Sequence, residues 1–181
     1  MTKKKFLEIK KKYGKFCSFA IWGTNLDDLS IFEKNIAGLR TDIVFVGLNA
    51  TAPMKDFQNF HSESRSDCRL GGVLNNSSAK GAYLTDIDKR NTLVDSRKIL
   101  ALIRKDEKRY KLPLDKEFND VEAKNSRIIA MGSATYQILR RWYPNGNVHK
   151  MYHPAAWQIS ETCFQQSAKK AIQASKKHEK R

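Results

Sequence analysis

Two short apolar runs constrain this chain more than anything else in it: Ile43, Val44, Phe45, Val46 and Ile128, Ile129, Ala130, Met131, each stopping at a glycine, Gly47 and Gly132. Neither run alternates with polar residues, so neither belongs to a sheet with one wet face. Continuous runs of this kind predict strands buried on both faces, as in a parallel sheet. Gly81 to Ile87 predicts a third strand and Asn147 to Tyr152 a fourth.

Parallel strands need long crossovers, and the chain supplies them. Helical spacing predicts helices over Lys3 to Lys12, Leu26 to Leu39, Ser96 to Tyr110, Leu114 to Lys124, Ser133 to Trp142 and Thr162 to Lys177. Strands alternating with helices imply an α/β fold: a three-layer α/β/α sandwich around a central, mainly parallel, four-stranded sheet. At 181 residues one core suffices, so residues 1–181 are expected to form a single domain with Lys-rich ends. The stretch from Leu48 to Lys80 is too long for a bare connection and is expected to be functional or partly helical.

Charge narrows the partners. Lys and Arg number 34 against 19 Asp and Glu, a formal charge of +15, which points to a polyanion, with nucleic acid ahead of an anionic membrane. The basic residues gather at Lys3 to Lys15 and Lys169 to Arg181, where they form basic faces or solvated ends. No apolar run approaches the ~20 residues of a spanning helix, and no signal-peptide pattern follows Lys3, so a cytoplasmic protein with no membrane partner is expected. Cys17, Cys68 and Cys163 are widely spaced and odd in number, which argues against a disulfide framework, a zinc site or an iron–sulfur cluster. No cofactor is expected.

In an open α/β sheet ligands bind outside the carboxyl ends of the strands, which directs attention to Asn49, Asp86, Ser133 and His153. Asn49 follows Gly47 and Leu48, where the glycine lets a ligand approach the backbone and the amide can hold a water; taken alone, an Asn after a strand is more often a turn former. His153 precedes Pro154, which fixes the chain direction, the small Ala155 and Ala156, which permit close contact with a partner surface, and Trp157; taken alone, His153 reads equally as a surface or capping histidine. His61, Glu63 and Asp67 form a polar cluster that either lines a pocket or satisfies loop backbone.

The blocks Gly47, Leu48, Asn49; Thr85, Asp86; Ala130, Met131, Gly132, Ser133; and His153, Pro154, Ala155, Ala156, in that order, resemble the uracil-DNA glycosylase superfamily over roughly residues 42 to 158. The resemblance implies that Asn49 orients the attacking water and that His153 donates a hydrogen bond to the base O2 as charge builds there. It also implies that Phe57 or Phe60 stacks on the flipped base, and that Gly47, Leu48, Thr85 and Asp86 help to bind it. Ser133 and the loop Pro154, Ala155, Ala156, Trp157 would meet DNA, single- or double-stranded, with no obligate protein partner and a monomeric protein.

The chain departs from the superfamily's pattern at Ala50, where proline is usual, and at Asp86, where many members carry the asparagine that reads uracil. An ionised Asp86 only accepts, so facing uracil O4 it would oppose two acceptors, and a base with an exocyclic amine would suit it better. Two functions follow as expectations: a DNA glycosylase hydrolysing the N-glycosidic bond of uracil or a related deaminated or damaged base, or a non-catalytic nucleic-acid or nucleotide-binding protein of the same fold. A nucleotide enzyme of another Rossmann-like kind ranks behind both, since neither a G-x-G-x-x-G nor a Walker A sequence is present.

Overall fold

The structure, a computed structural model, describes residues 1–25, 28–50, 54–90 and 95–176. The apolar runs form the strands β2 (Arg40–Asn49), β3 (Ala82–Asp88), β4 (Arg127–Met131) and β5 (Val148–Met151), all mutually parallel where they pair. A fifth strand, β1 (Ser18–Phe19), joins antiparallel to β3, and the order across the sheet is β1-β3-β2-β4-β5. Among the described residues the sheet therefore has five strands rather than four. A two-residue strand carries no alternation or apolar run by which sequence could flag it.

The strands are buried on both faces, as their composition requires. Val44, Val46, Tyr83, Ile87, Ile128 and Ala130 face one layer, where α1 (Lys3–Tyr13), α4 (Ser96–Lys105), α5 (Glu107–Asp120) and α6 (Ser133–Trp142) pack. Ile43, Phe45, Leu84, Ile129 and Met131 face the other, under α3 (Arg65–Leu74) and α7 (Glu161–Lys176). This is the expected three-layer α/β/α arrangement.

Helix boundaries differ from expectation where a local hydrogen bond overrides periodicity. The helix expected over Ser96 to Tyr110 stops at Lys105, because Asp106 leaves helical geometry and its carboxylate accepts from Arg109 N, starting α5 at Glu107. That helix then runs through Pro113, although proline removes one main-chain donor. The helix expected over Leu26 to Leu39 shrinks to α2 (Ser30–Lys34) and a 3₁₀ turn (Ile36–Gly38); residues 26 and 27 lie outside the described residues. The long Leu48 to Lys80 stretch contains α3, capped by Ser64, whose hydroxyl accepts from Asp67 N. No helix among the described residues is long and apolar enough to cross a membrane.

From β2 the chain crosses first to β3 on one side and later to β4 on the other. The switch point thus lies at the carboxyl ends of β2 and β4, where Asn49 and Gly132 sit.

Candidate active site

A cleft of about 330 Å³ opens at this edge of the sheet. Strand periodicity decides which residues reach it. Gly47 pairs with Asp86, and both lie on the α3/α7 side of the sheet together with Asn49, whereas the intervening Leu48 and Thr85 point to the opposite layer. Asn49 and Asp86 line the cleft accordingly. Leu48 packs in the α1/α4/α5/α6 core, and Thr85 donates its hydroxyl to Glu117 Oε1 at 2.8 Å. Neither touches the cleft, because each is one residue out of phase with the face that does.

Asp86 is the most buried residue lining the cleft, with only 2% of its surface exposed. Its Oδ2 accepts from Asn59 Nδ2 at 2.8 Å, and the same amide donates to the Phe16 carbonyl at 2.8 Å. Asn59 is itself buried, its carbonyl accepting from the Ser18 hydroxyl of β1. Gly47 is required directly beneath: a Cβ there would come within 2.1 Å of Asp86 Oδ1 and 3.2 Å of Phe60 Cζ. Burial pushes the Asp86 carboxyl up to about 7, with Glu117 and Asp88 acting in the same direction and the Asn59 hydrogen bond and Lys89 opposing. Lys89 Nζ reaches the Asp86 main-chain carbonyl at 2.6 Å and Glu117 Oε2 at 2.6 Å, fixing the end of β3.

Phe57 and Phe60 are separated by their turns. Main-chain bonds Gln58 N to Lys55 O and His61 N to Gln58 O close two successive β-turns, each with a phenylalanine in third position at positive φ, 62° for Phe57 and 63° for Phe60. A bulky side chain resists that conformation, so packing has to hold it. Phe57 is wedged among Phe6, Phe19 and Phe32 at ring-centroid distances of 5.2, 5.7 and 5.4 Å, inside the core and away from the cleft. Phe60 lies over Gly47 and lines the cleft. Of the two stacking candidates, only Phe60 has a ring available to a ligand.

His153 follows β5 and closes the opposite wall, with Pro154 and Ala155. Ala155 N donates to His153 Nδ1 at 3.1 Å, which assigns the ring proton of the neutral imidazole to Nε2. Nε2–H makes no hydrogen bond with a described residue. Burial lowers the imidazole pKa from its ordinary 6.5, while the Asp67 carboxylate opposes this, so the neutral, Nε2-protonated form is the resting one. Gly132, at φ 96°, leaves room for the ring, as its absent Cβ would lie 3.4 Å from His153 Cβ. Asn49 Nδ2 donates to the Ala50 carbonyl at 3.1 Å.

Two groups here were not singled out from the sequence, Asn59 and Arg69, whereas Asp67 belongs to the polar cluster that could line a pocket. Asp67 lines the cleft, and its Oδ2 accepts from Ser62 N at 2.9 Å and from the Ser62 hydroxyl. His61 from the same polar cluster is instead buried against Trp22 and donates to the Phe19 carbonyl at 3.0 Å, and Glu63 is exposed. Arg69, 9% exposed, spreads its guanidinium over the loop after His153. Nη1 donates to the Pro154 and Ala156 carbonyls at 3.2 Å each, Nη2 to Ile159 at 2.6 Å and Ser160 at 2.8 Å, and Nε to Glu161 Oε2 at 2.9 Å. The guanidinium also lies 4.3 Å from the Phe164 ring centre. Trp157 projects from this clamped loop with 86% of its surface exposed, beside Arg65 and Ile159. Ser133 begins α6 and does not line the cleft, and Ala156 faces Arg69 through its carbonyl.

The cleft thus offers carboxylates, amides, hydroxyls, one imidazole N–H and one aromatic ring, and no lysine or arginine among its described lining residues. Among the described residues no three His, Cys, Asp or Glu side chains gather as metal ligands. No family model, no curated protein and no solved structure matches this chain.

Proposed function

We infer that the protein is a DNA glycosylase, hydrolysing the N-glycosidic bond of uracil or a related deaminated or damaged base in DNA. The observation that carries this reading is the convergence of Asn49 and His153, from strands at different places in the sheet, on one base-sized cleft whose floor is Asp86 and Phe60. The lack of cationic lining favours an uncharged base over a phosphate, while the +15 charge of the whole chain suits the DNA around it.

The chemistry balances without a metal. As the bond between sugar C1′ and the base nitrogen breaks, the base leaves with the electron pair, and His153 Nε2–H stabilises the charge arriving at its O2. Water oriented by the Asn49 amide adds to C1′ and gives its proton to solvent or to the departing base. An amide takes no proton, so turnover is expected to be slower than with a carboxylate, by about 10²-fold or more. Trp157, exposed on a loop held rigidly by Arg69, suits insertion into the base stack vacated by a flipped nucleotide.

Labelled oligonucleotides carrying uracil, hypoxanthine, xanthine or a thymine mismatch, treated with protein and then alkali, test this. Strand scission is expected with at least one base, and is expected to be lost with His153→Ala and strongly reduced with Asn49→Ala. A second reading is favoured by the amide at Asn49: a base-binding protein of the same shape that does not cut. Salt-sensitive DNA binding with no scission on any of the bases would select it.

A further inference from the structure

The cleft has no lysine or arginine among its described lining residues, so a nucleic acid lodged there has to find cations for its phosphates elsewhere on the protein. Basic side chains are numerous, but many are already engaged. On α1, Lys5, Lys10 and Lys12 pair with Glu122, Glu33 and Asp120, and Glu8 shares the helix with them. On α5, Lys111 and Lys116 pair with Asp115 and Asp120. The helix α4 differs from both. Its 10 residues include no acid and four cations, Arg97, Lys98, Arg104 and Lys105.

Helix geometry gathers all four on one side. Ile99 and Ile103 turn the opposite side into the core, whereas Arg97, Lys98, Arg104 and Lys105 are exposed, with Ala101 and Leu102 between them. Residues seven apart fall almost in line, two turns and about 10 Å along the axis. Arg97 is therefore followed by Arg104, and Lys98 by Lys105, in two short parallel rows of positive charge. Exposed Lys108 and Arg109 continue the run at the start of α5. The neighbouring carboxylates are taken up: Asp95 and Asp106 accept from Arg97 N and Arg109 N, Asp95 also from the Arg97 guanidinium, and Glu107 is held by Arg141 and Trp142. Lys98, Arg104 and Lys105 have no ion-pair partner among the described residues.

We propose that the solvent face of α4 is a second nucleic-acid contact, which holds the phosphate backbone of DNA outside the cleft and without regard to sequence. The convex side of a helix cannot enclose a small anion. A helix lying on a membrane turns its apolar side outward, and here that side, Ile99 and Ile103, is committed to the core. A nucleic-acid backbone instead offers a row of single charges to a row of cations. Because α4 packs in the layer opposite α3, whose Asp67 lines the cleft, the face meets backbone away from any nucleotide in the cleft. The proposal goes beyond the reading of the cleft and stands whether or not the cleft cuts a base.

The test is binding of a labelled, undamaged duplex of about 20 base pairs, followed by fluorescence anisotropy between about 50 and 200 mM salt. One variant combines Arg97→Gln, Lys98→Gln, Arg104→Gln and Lys105→Gln, since glutamine keeps the helix propensity and most of the side-chain length. A second combines Lys3→Gln, Lys4→Gln, Lys11→Gln and Lys15→Gln on and just after α1, removing the same charge from a different face. All eight side chains are exposed, so both variants are expected to melt within a few degrees of the natural protein by circular dichroism.

The α4 variant is expected to lose about tenfold or more in affinity at about 100 mM salt. Its slope of log affinity against log salt concentration is expected to flatten by about 2 to 4, near 0.9 for each phosphate contact removed. The α1 variant is expected to stay within about threefold, with its slope changed by less than about 1. Unchanged affinity and slope in the α4 variant overturn the proposal. Equal losses in the two variants also overturn it, since net charge rather than this face would then be responsible, and so does a natural protein that binds no duplex. Poly-L-glutamate of matched charge is expected to displace the labelled duplex poorly; if it competes as well as unlabelled duplex, the face takes an acidic polypeptide and the proposal falls. The glycosylase reading fails separately. Scission by a protein whose α4 variant binds duplex normally removes this proposal alone, and selective loss of binding in the α4 variant of a protein that cuts no base removes the glycosylase alone.

Discussion

At the scale of single residues, the deep carboxyl of Asp86 makes stability depend on pH. Its pKa rises from 3.8 in the free residue to about 7 in the fold, so between those values the folded chain holds a proton that the unfolded chain releases. Stability from this group is full below pH 3.8 and declines as pH rises through about 7. At about 1.36 kcal/mol per unit, the loss amounts to a few kcal/mol. Asp86→Asn, which keeps the Asn59 bond and carries no charge, is therefore expected to melt above the natural protein at about pH 8, by several degrees, and to converge with it toward pH 4. Thermal unfolding followed by circular dichroism across that range checks this; equal melting temperatures at pH 8 would mean that water or Lys89 relieves the buried charge. Gly47 belongs to the same unit, since the carboxyl can lie where it does only because position 47 has no Cβ.

At the scale of elements, the helix α3 joins the cleft to the loop beyond it. Arg69 gathers four carbonyls of residues 154 to 160 on one guanidinium. Arg69→Ala would leave those carbonyls and the Phe164 ring without their cation, and is expected to cost about 2–4 kcal/mol of stability. Amide exchange in residues 155–160 should accelerate more than in β2 to β4; uniform acceleration throughout would mean that the loop has no order of its own to lose. The sequence shows why some elements can be read from it and others not. β2 and β4 announce themselves because strands buried on both faces are continuous apolar runs, and α6 because Ser133 follows a glycine turn and precedes helical spacing. α3 is hidden by Gly71 and Gly72, which suggest a turn, although Gly71 is needed where a Cβ would meet the Trp22 ring at 3.0 Å. Asn49, Asp86 and His153 could be found because they lie at or just beyond the carboxyl ends of strands. Asn59 and Arg69 could not, since their importance lies in partners at positions 16, 86 and 154 to 160 that only folding brings near.

At the scale of the whole molecule, charge is divided between inside and outside. The chain carries +15, yet the described lining of the cleft contains no cation, and part of the basic face of α1 is already engaged within the fold: Lys5 with Glu122, Lys10 with Glu33, Lys12 with Asp120. On the proposed function, binding to a duplex should therefore weaken steeply with salt while discrimination between bases does not, because phosphate contacts release counterions and base contacts do not. Titrations at about 50 and 200 mM salt are expected to lower affinity at least tenfold while leaving the uracil-to-cytosine ratio unchanged; a ratio that collapses in step with affinity would place a cation in the recess after all. One further consequence lies in the architecture of α3. Asp67 in the cleft wall and Arg69 on the loop stand two residues apart on a single stiff rod. The lip and the recess therefore share one mechanical degree of freedom, so that whatever displaces Trp157 and its loop also tilts the wall against which a guest must fit.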